Sequence, residues 1–284
     1  MFNLIIETQN GERLDFSQVR DKYDILSVDG LTSPDTNINT SSLYYTDGCL
    51  VNSMRAEKRN IVITLNIKPP IELNRLELYR FFACKAKITL YWTNDNRDVY
   101  IKGIVEKFET NLFDKVQQPQ ISIICPQPYF ISTTEDVIGF TDSESLFEFP
   151  FSISWPPGKA ISEGKGRISQ LVDVGEATTG IIIKISAVGG AVTNPTVVNR
   201  TTGDTFTINY TMSDSQQIVV NSNAGEKSIY LYTGSSKKNF LSKRKYGTQW
   251  ITCVPGYNDF YYTADSGSDY MQVEFIMAKK YQGV

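Results

Sequence analysis

The sequence contains no histidine. That removes Ser-His-Asp triads, histidine general bases and histidine-ligated metals from consideration. Cys49, Cys84, Cys125 and Cys253 are scattered, with no C-x-x-C pair and no zinc-ligand spacing. Cys is among the most often buried residues, so these four read as buried free thiols rather than as disulfides. The nearest carboxylate pairs that could serve a glycosidase are Glu144 with Glu148 and Asp265 with Asp269. Most acids are simply solvated, and both pairs read as loop or strand-edge residues. Gly164-Lys165-Gly166 lacks the spacing of a phosphate-binding loop and reads as a hairpin turn. No nucleophile-elbow, P-loop or dinucleotide fingerprint is present. The expectation is therefore a protein that is not an enzyme and holds no cofactor or metal.

Two clusters could bind rather than react. "KKNFLSKRK", residues 237 to 245, holds five basic residues around one aromatic, and reads as a solvated loop. Aromatic residues gather late in the chain. Trp250, Tyr257, Tyr261 and Tyr262 are the candidate contacts for a glycan or a protein partner. Phe260-Tyr261-Tyr262 are consecutive, so at strand spacing one face of that strand enters the core and the other does not. Net charge is −3 over 284 residues, with 15 basic and 16 acidic residues up to Ser132 and 13 and 15 beyond it. Neither part has the basic excess of a nucleic-acid binder. The start, "MFNLIIETQNGERLDF", has no basic n-region and reads as no signal peptide, and no apolar run is long enough to span a bilayer.

The elements that must position these residues are mostly strands. Asn10-Gly11 predicts a hairpin between "NLIIET" and "ERLDF". "YDILSVDGL" is a strand, and the polar stretch from Thr32 to Cys49 is a long loop that a neighbouring molecule would order. "LVNSMRAEKRNIVITLNIKP" reads as a second hairpin, turning near Glu57 to Asn60. A helix is predicted over 70–85, with Leu73, Leu76, Tyr79 and Phe82 or Ala83 as its inward stripe. "AKITLYW" turns at "TNDN" into "RDVYIKGIVEKFE". The strand "QISIIC" then stops at "CPQPYF", because neither Pro126 nor Pro128 can donate a ladder hydrogen bond. A domain is expected over 1–132, a polar linker over 133–145, and a train of short strands over 146–284 that forms a β-sandwich. The fold class is mainly β.

This architecture resembles that of the distal tail proteins of long, non-contractile-tailed bacteriophages. The resemblance covers essentially the whole chain. It is carried by "VDGLTSPDTNINT", "AEKRNIVITLNI", "ELNRLELYRFF", "CPQPYF", "TNPTVVNRTTGDTFTIN", "VPGYNDFYY" and the terminal "YQGV". It implies a homo-hexameric ring made by the first domain, often with an extended arm reaching a neighbour. The second domain would be a galectin-like or carbohydrate-module-like sandwich. The partners implied are the tail tube protein, a tail-tip protein and, on the sandwich, receptor-binding proteins or a host surface glycan. No nucleic-acid binding and no membrane insertion are expected. The location implied is the virion tail tip, assembled in the host cytoplasm. The alternative is a glycan-binding sandwich protein with no hub role.

Overall fold

The structure is a computed structural model, and it describes residues 2–45, 47–140 and 170–284. The chain divides into two compact units. One is Met1–Thr134 together with Lys280–Val284, and the other is Glu135–Lys279. The last five residues thus belong to the first unit, not to the sandwich that the sequence reading assigned them to.

The first unit contains β1 (Asn3–Thr8), β2 (Arg13–Asp15), β3 (Tyr23–Asp29), β4 (Thr36–Ser42), β5 (Cys49–Ala56), β6 (Arg59–Ile67), α1 (Ile71–Phe81), β7 (Lys87–Thr93), β8 (Asp98–Glu109), β9 (Gln120–Cys125) and β10 (Phe130–Ser132). Its main sheet runs β2-β1-β7-β8-β9-β6-β3, with β10 paired to β8. Gly11, at φ +83°, supplies the left-handed residue that the β1–β2 turn requires. Alternation along the strands builds the core. Ile61, Ile63, Leu65 and Ile67 point inward from β6, and Ile121, Ile123 and Cys125 from β9, where they pack with Leu78 and Phe82 near the helix.

Two sequence expectations about this unit are corrected. β5 does not form a hairpin with β6. It pairs with β4 as a separate two-stranded ribbon, while β6 pairs with β3 and β9. The apolar stripe of the helix also meets the core only at Phe82. Leu73, Leu76 and Tyr79 are exposed, Leu73 by 62%, while Asn74, Leu78 and Phe82 are buried. Asn74 fixes this rotation from inside. Its side-chain amide donates to the Lys68 carbonyl at 2.8 Å, and its own carbonyl accepts from the Tyr23 hydroxyl at 2.8 Å.

The second unit is a two-sheet sandwich. One sheet is ordered β11 (Asp136–Phe140), β22 (Met271–Met277), β13 (Ile182–Ala187), β18 (Gln216–Asn221), β19 (Ser228–Thr233) and β20 (Ser236–Asn239). The other is ordered β12 (Gln170–Asp173), β21 (Tyr257–Thr263), β15 (Thr196–Asn199) and β16 (Asp204–Thr207). A small pair, β14 (Val192–Thr193) and β17 (Thr211–Met212), forms a separate two-stranded sheet. The two sheets share one core, in which the rings of Phe260 and Phe275 lie 4.6 Å apart. Residues 136–140, expected as linker, are strand and pair with β22 from Asp136↔Met277 to Phe140↔Val273. "TQWITCV", expected as a strand, makes only the isolated bridge Thr179↔Cys253. The expected strand "LFEFPFSISW" lies outside the described residues. The final strand, β23 (Lys280–Tyr281), returns to the first unit and pairs with β10.

Candidate functional site

The β4–β5 ribbon is the most unusual surface of the first unit. Every residue of β4 is exposed, and so is β5 as far as Arg55. Its register sorts the side chains. Ile38 stands opposite Met54 and Thr40 opposite Val51, with a bulge between Asn39 and Thr40. Strand alternation therefore gathers Ile38, Val51 and Met54 on one face, and Asn37, Asn39, Ser53 and the apolar Leu50 on the other. Met54 is 69% exposed. Leu43 and the two tyrosines Tyr44 and Tyr45 stand at the tip, with the tyrosine rings edge to face at 4.7 Å. A two-stranded hairpin is marginal by itself in water, and its apolar face gains stability only when covered. The sequence reading treated the segment as a polar loop, because it counted polar residues and did not sort them by face.

The root of the arm is fixed by one buried cation. Arg59, 4% exposed, opens β6 directly after the arm returns. Its Nε donates to the Pro128 carbonyl at 2.7 Å. Nη1 donates to the carbonyls of Gly30, at 2.5 Å, and Thr32. Nη2 donates to the Gln282 carbonyl at 2.5 Å. The guanidinium lies 4.8 Å from the centre of the Phe130 ring. "CPQPYF" therefore does more than end a strand, since Pro128 and Phe130 form part of the seat of this arginine. The C-terminal residues are held by the same neighbourhood. Val284 N–H donates to the Leu31 carbonyl at 3.2 Å, Arg97 donates to the Gly283 carbonyl, and the Arg97 guanidinium sits 4.4 Å from the Tyr281 ring centre. Gly30, at φ +83°, lies so close to the Asn60 carbonyl that an added Cβ would sit 2.1 Å from that oxygen.

The candidate contact residues of the sandwich separate by face. Tyr262 is 8% exposed and belongs to the core, so it offers no ring to a ligand. Tyr261 is half-buried, and Arg200 covers its ring at 4.5 Å. Trp250 packs against Phe206 at 5.3 Å, and Lys227 and Arg244 lie 5.6 and 5.5 Å from its ring centre. Tyr257 is 67% exposed. The sandwich motifs have a structural explanation. Asn199 and Asn258 are fully buried, and Asn199 Nδ2 donates to the Thr252 carbonyl and to Asn258 Oδ1. Asn258 in turn bonds the backbone of Val254 and Gly256. "NPTVVNRTTGD" and "VPGYNDFYY" thus brace two loops against each other.

The remaining chemical candidates do not converge. Asp265 accepts from Asn194 Nδ2 at 2.7 Å in a turn. Glu144, Glu148 and Gly164-Lys165-Gly166 lie outside the described residues. Among the described residues no group of three or more histidine, cysteine or acidic side chains is arranged to hold a metal, and no helix is long and apolar enough to cross a membrane. Cys125 and Cys253 are buried, as expected, and burial pushes their thiols up to about 11 and about 12. Cys49 and Cys84 are exposed, against expectation.

No protein-family model matches the sequence, and no curated protein matches it. Solved structures do match. The Dit protein of phage SPP1, described as a paradigm of the hub adsorption apparatus in Gram-positive infecting phages, aligns with a TM-score of 0.69 at 11% identity. The alignment covers 99% of this chain and 99% of that one. The chain has the Dit hub fold. Chains of the phage P2 baseplate in its activated conformation, with Ca and with Sr, align with TM-scores of 0.56 and 0.53 at 12% identity, over the full length of both partners. The match to the Dit structure extends over both units of this chain.

Proposed function

We propose that this protein is a structural component of a phage virion that forms a hexameric ring at the distal end of the tail. In that position it joins the tail tube protein to the tail-tip protein and carries the host-adsorption apparatus. The observation that carries this reading is the end-to-end likeness to the SPP1 Dit hub, across both units and 99% of each chain. The exposed amphipathic arm supports it, because a ring needs each copy to hold its neighbour. The role involves no reaction. The sandwich acts as a platform for receptor-binding proteins rather than as a glycan module. Of the four candidate rings only Tyr257 is widely exposed, while Trp250 and Tyr261 are capped by cations and Tyr262 is core.

Negative-stain imaging and mass measurement of the purified protein test the reading. Six-fold rings are expected. A particle near 32.0 kDa at every concentration would sink it.

A further inference from the structure

The charges of the sandwich are sorted along the chain. From Lys227 to Asn258 there are six basic residues, Lys227, Lys237, Lys238, Lys243, Arg244 and Lys245, and no acidic one. The fold brings them to one side of the sandwich. β20 is the outer strand of the six-stranded sheet and carries Lys237 and Lys238. The chain then crosses to the four-stranded sheet and runs beside its outer strand, β16. There Arg244 bridges Ile208, Lys245 N–H donates to the Thr207 carbonyl at 3.0 Å, and Gln249 N–H donates to the Thr205 carbonyl at 3.2 Å. Lys227 reaches the same side, since its ammonium and the Arg244 guanidinium close on one Trp250 ring at 5.6 and 5.5 Å. The three other basic residues described in this unit, Lys184, Arg200 and Lys279, are each ion-paired. Among the described residues, none of the six has an acidic partner.

We propose that this side of the sandwich binds a phosphodiester polymer of the host cell surface, held by its backbone charges. The source of the polymer rests on the adsorption reading above. Lysines on an edge strand also keep it from pairing with other edges, but that accounts only for Lys237 and Lys238. Lys227 and Arg244 converge on one ring without a counter-ion, and like charges so placed repel unless an anion sits near both. Composition selects the class of partner. Protein interfaces are depleted in Lys and centred on apolar residues. Here five of the six cations are Lys, and from Lys237 to Trp250 the exposed large apolar side chains are only Leu241 and Tyr246. A site for an anionic bilayer needs an apolar face beside its charges. Single-stranded nucleic acids are held on open aromatic faces, whereas Trp250 packs on Phe206 and is capped by cations. Lys meets phosphate as a point charge without fixed geometry, which suits a flexible chain of repeated phosphates. The hold is on charge rather than on sugar rings, so it stands beside the platform role of the sandwich.

The probe is poly(glycerol phosphate), and its affinity for the intact chain is measured between about 50 and about 200 mM salt. At the slope of about −0.7 per phosphate contact found for single strands, six contacts weaken binding about 300-fold over that range. Lys238→Gln, Lys243→Gln and Lys245→Gln together should halve the slope, so that the same range costs only about 20-fold, with melting unchanged. Lys87→Gln, Lys102→Gln and Lys115→Gln, exposed lysines of the first unit, make the same change in net charge and should leave the slope as it is. No binding at low salt, or a wild-type slope in the first triple variant, refutes the site. Tighter binding to polyglutamate, to single-stranded DNA or to anionic phospholipid vesicles refutes the class of partner. Rings that bind no polymer refute this inference and leave the hub reading intact. Salt-sensitive binding by a protein that stays monomeric refutes the hub reading alone.

Discussion

Replacing Arg59 by methionine keeps much of its bulk and removes its five-donor fork. Four carbonyls, those of Gly30, Thr32, Pro128 and Gln282, then lose a donor at a buried site. At about 1 kcal/mol for each orphaned acceptor the loss is about 4 kcal/mol, and the contact with Phe130 adds about 1 kcal/mol. Removing a desolvated charge returns about 2 kcal/mol. The net cost is about 3 kcal/mol, which lowers the melting temperature of a unit of this size by about 10 °C. Calorimetry should show the transition of the first unit falling while that of the sandwich stays put. Hydrogen exchange should locate the damage, with protection lost around 30–32, 128–132 and 280–284. Arg59→Lys should fall between, since one ammonium cannot reach four carbonyls in this geometry. Wild-type melting together with unchanged exchange at the C-terminus would refute the assignment of Arg59 as the common anchor.

Three further outcomes are expected. Tyr262→Ala should cost about 3 kcal/mol or more, as core ring truncations do, whereas Tyr257→Ala should change stability by less than about 0.5 kcal/mol; chemical denaturation of both variants checks this. A thiol reagent at pH 8 should modify Cys49 and Cys84 rapidly and leave Cys125 and Cys253 intact until unfolding, because a thiol pushed up to about 11 or higher is thiolate in only about one molecule in a thousand. In the sandwich, the backbone bond from Gly175 and the Lys279 ammonium hold the Asp173 carboxyl below its ordinary value. Its contribution is complete above the unfolded carboxylate value of about 4 and disappears as pH falls through the lower folded value, so Asp173→Asn should flatten acid unfolding below pH 4 and leave the same titration above it unaltered.

Much of the fold was legible along the chain. Period-two alternation marked β6, β7, β8 and β9, and the Asn-Gly turn marked the β1–β2 hairpin, because these signals are local. The helix was legible too, but its orientation was not. Periodicity shows that Leu73, Leu76 and Tyr79 share a face and does not say what covers that face. The usual assumption, that the cover is the chain's own core, fails here. The arm was missed for a related reason. β5 lies next to β6 in sequence and pairs with β4 instead, and only the register reveals that Ile38, Val51 and Met54 stand together. The return of Lys280–Val284 to β10 spans some 150 residues of sequence, beyond the reach of any local pattern. In the sandwich, adjacency of Phe260, Tyr261 and Tyr262 predicted two faces, and the structure shows which ring took which.

The return of β23 to β10 also has a mechanical meaning. The chain leaves the first unit through β10 and comes back through β23, and these two strands are antiparallel neighbours. The sandwich is therefore joined to the first unit by two covalent connections that leave from neighbouring strands. Arg59 grips this double hawser through Gln282 on one strand's side and Pro128 on the other's, and through Gly30 and Thr32 it grips the root of the arm as well. One side chain thereby splices both connections to the residues from which the arm springs.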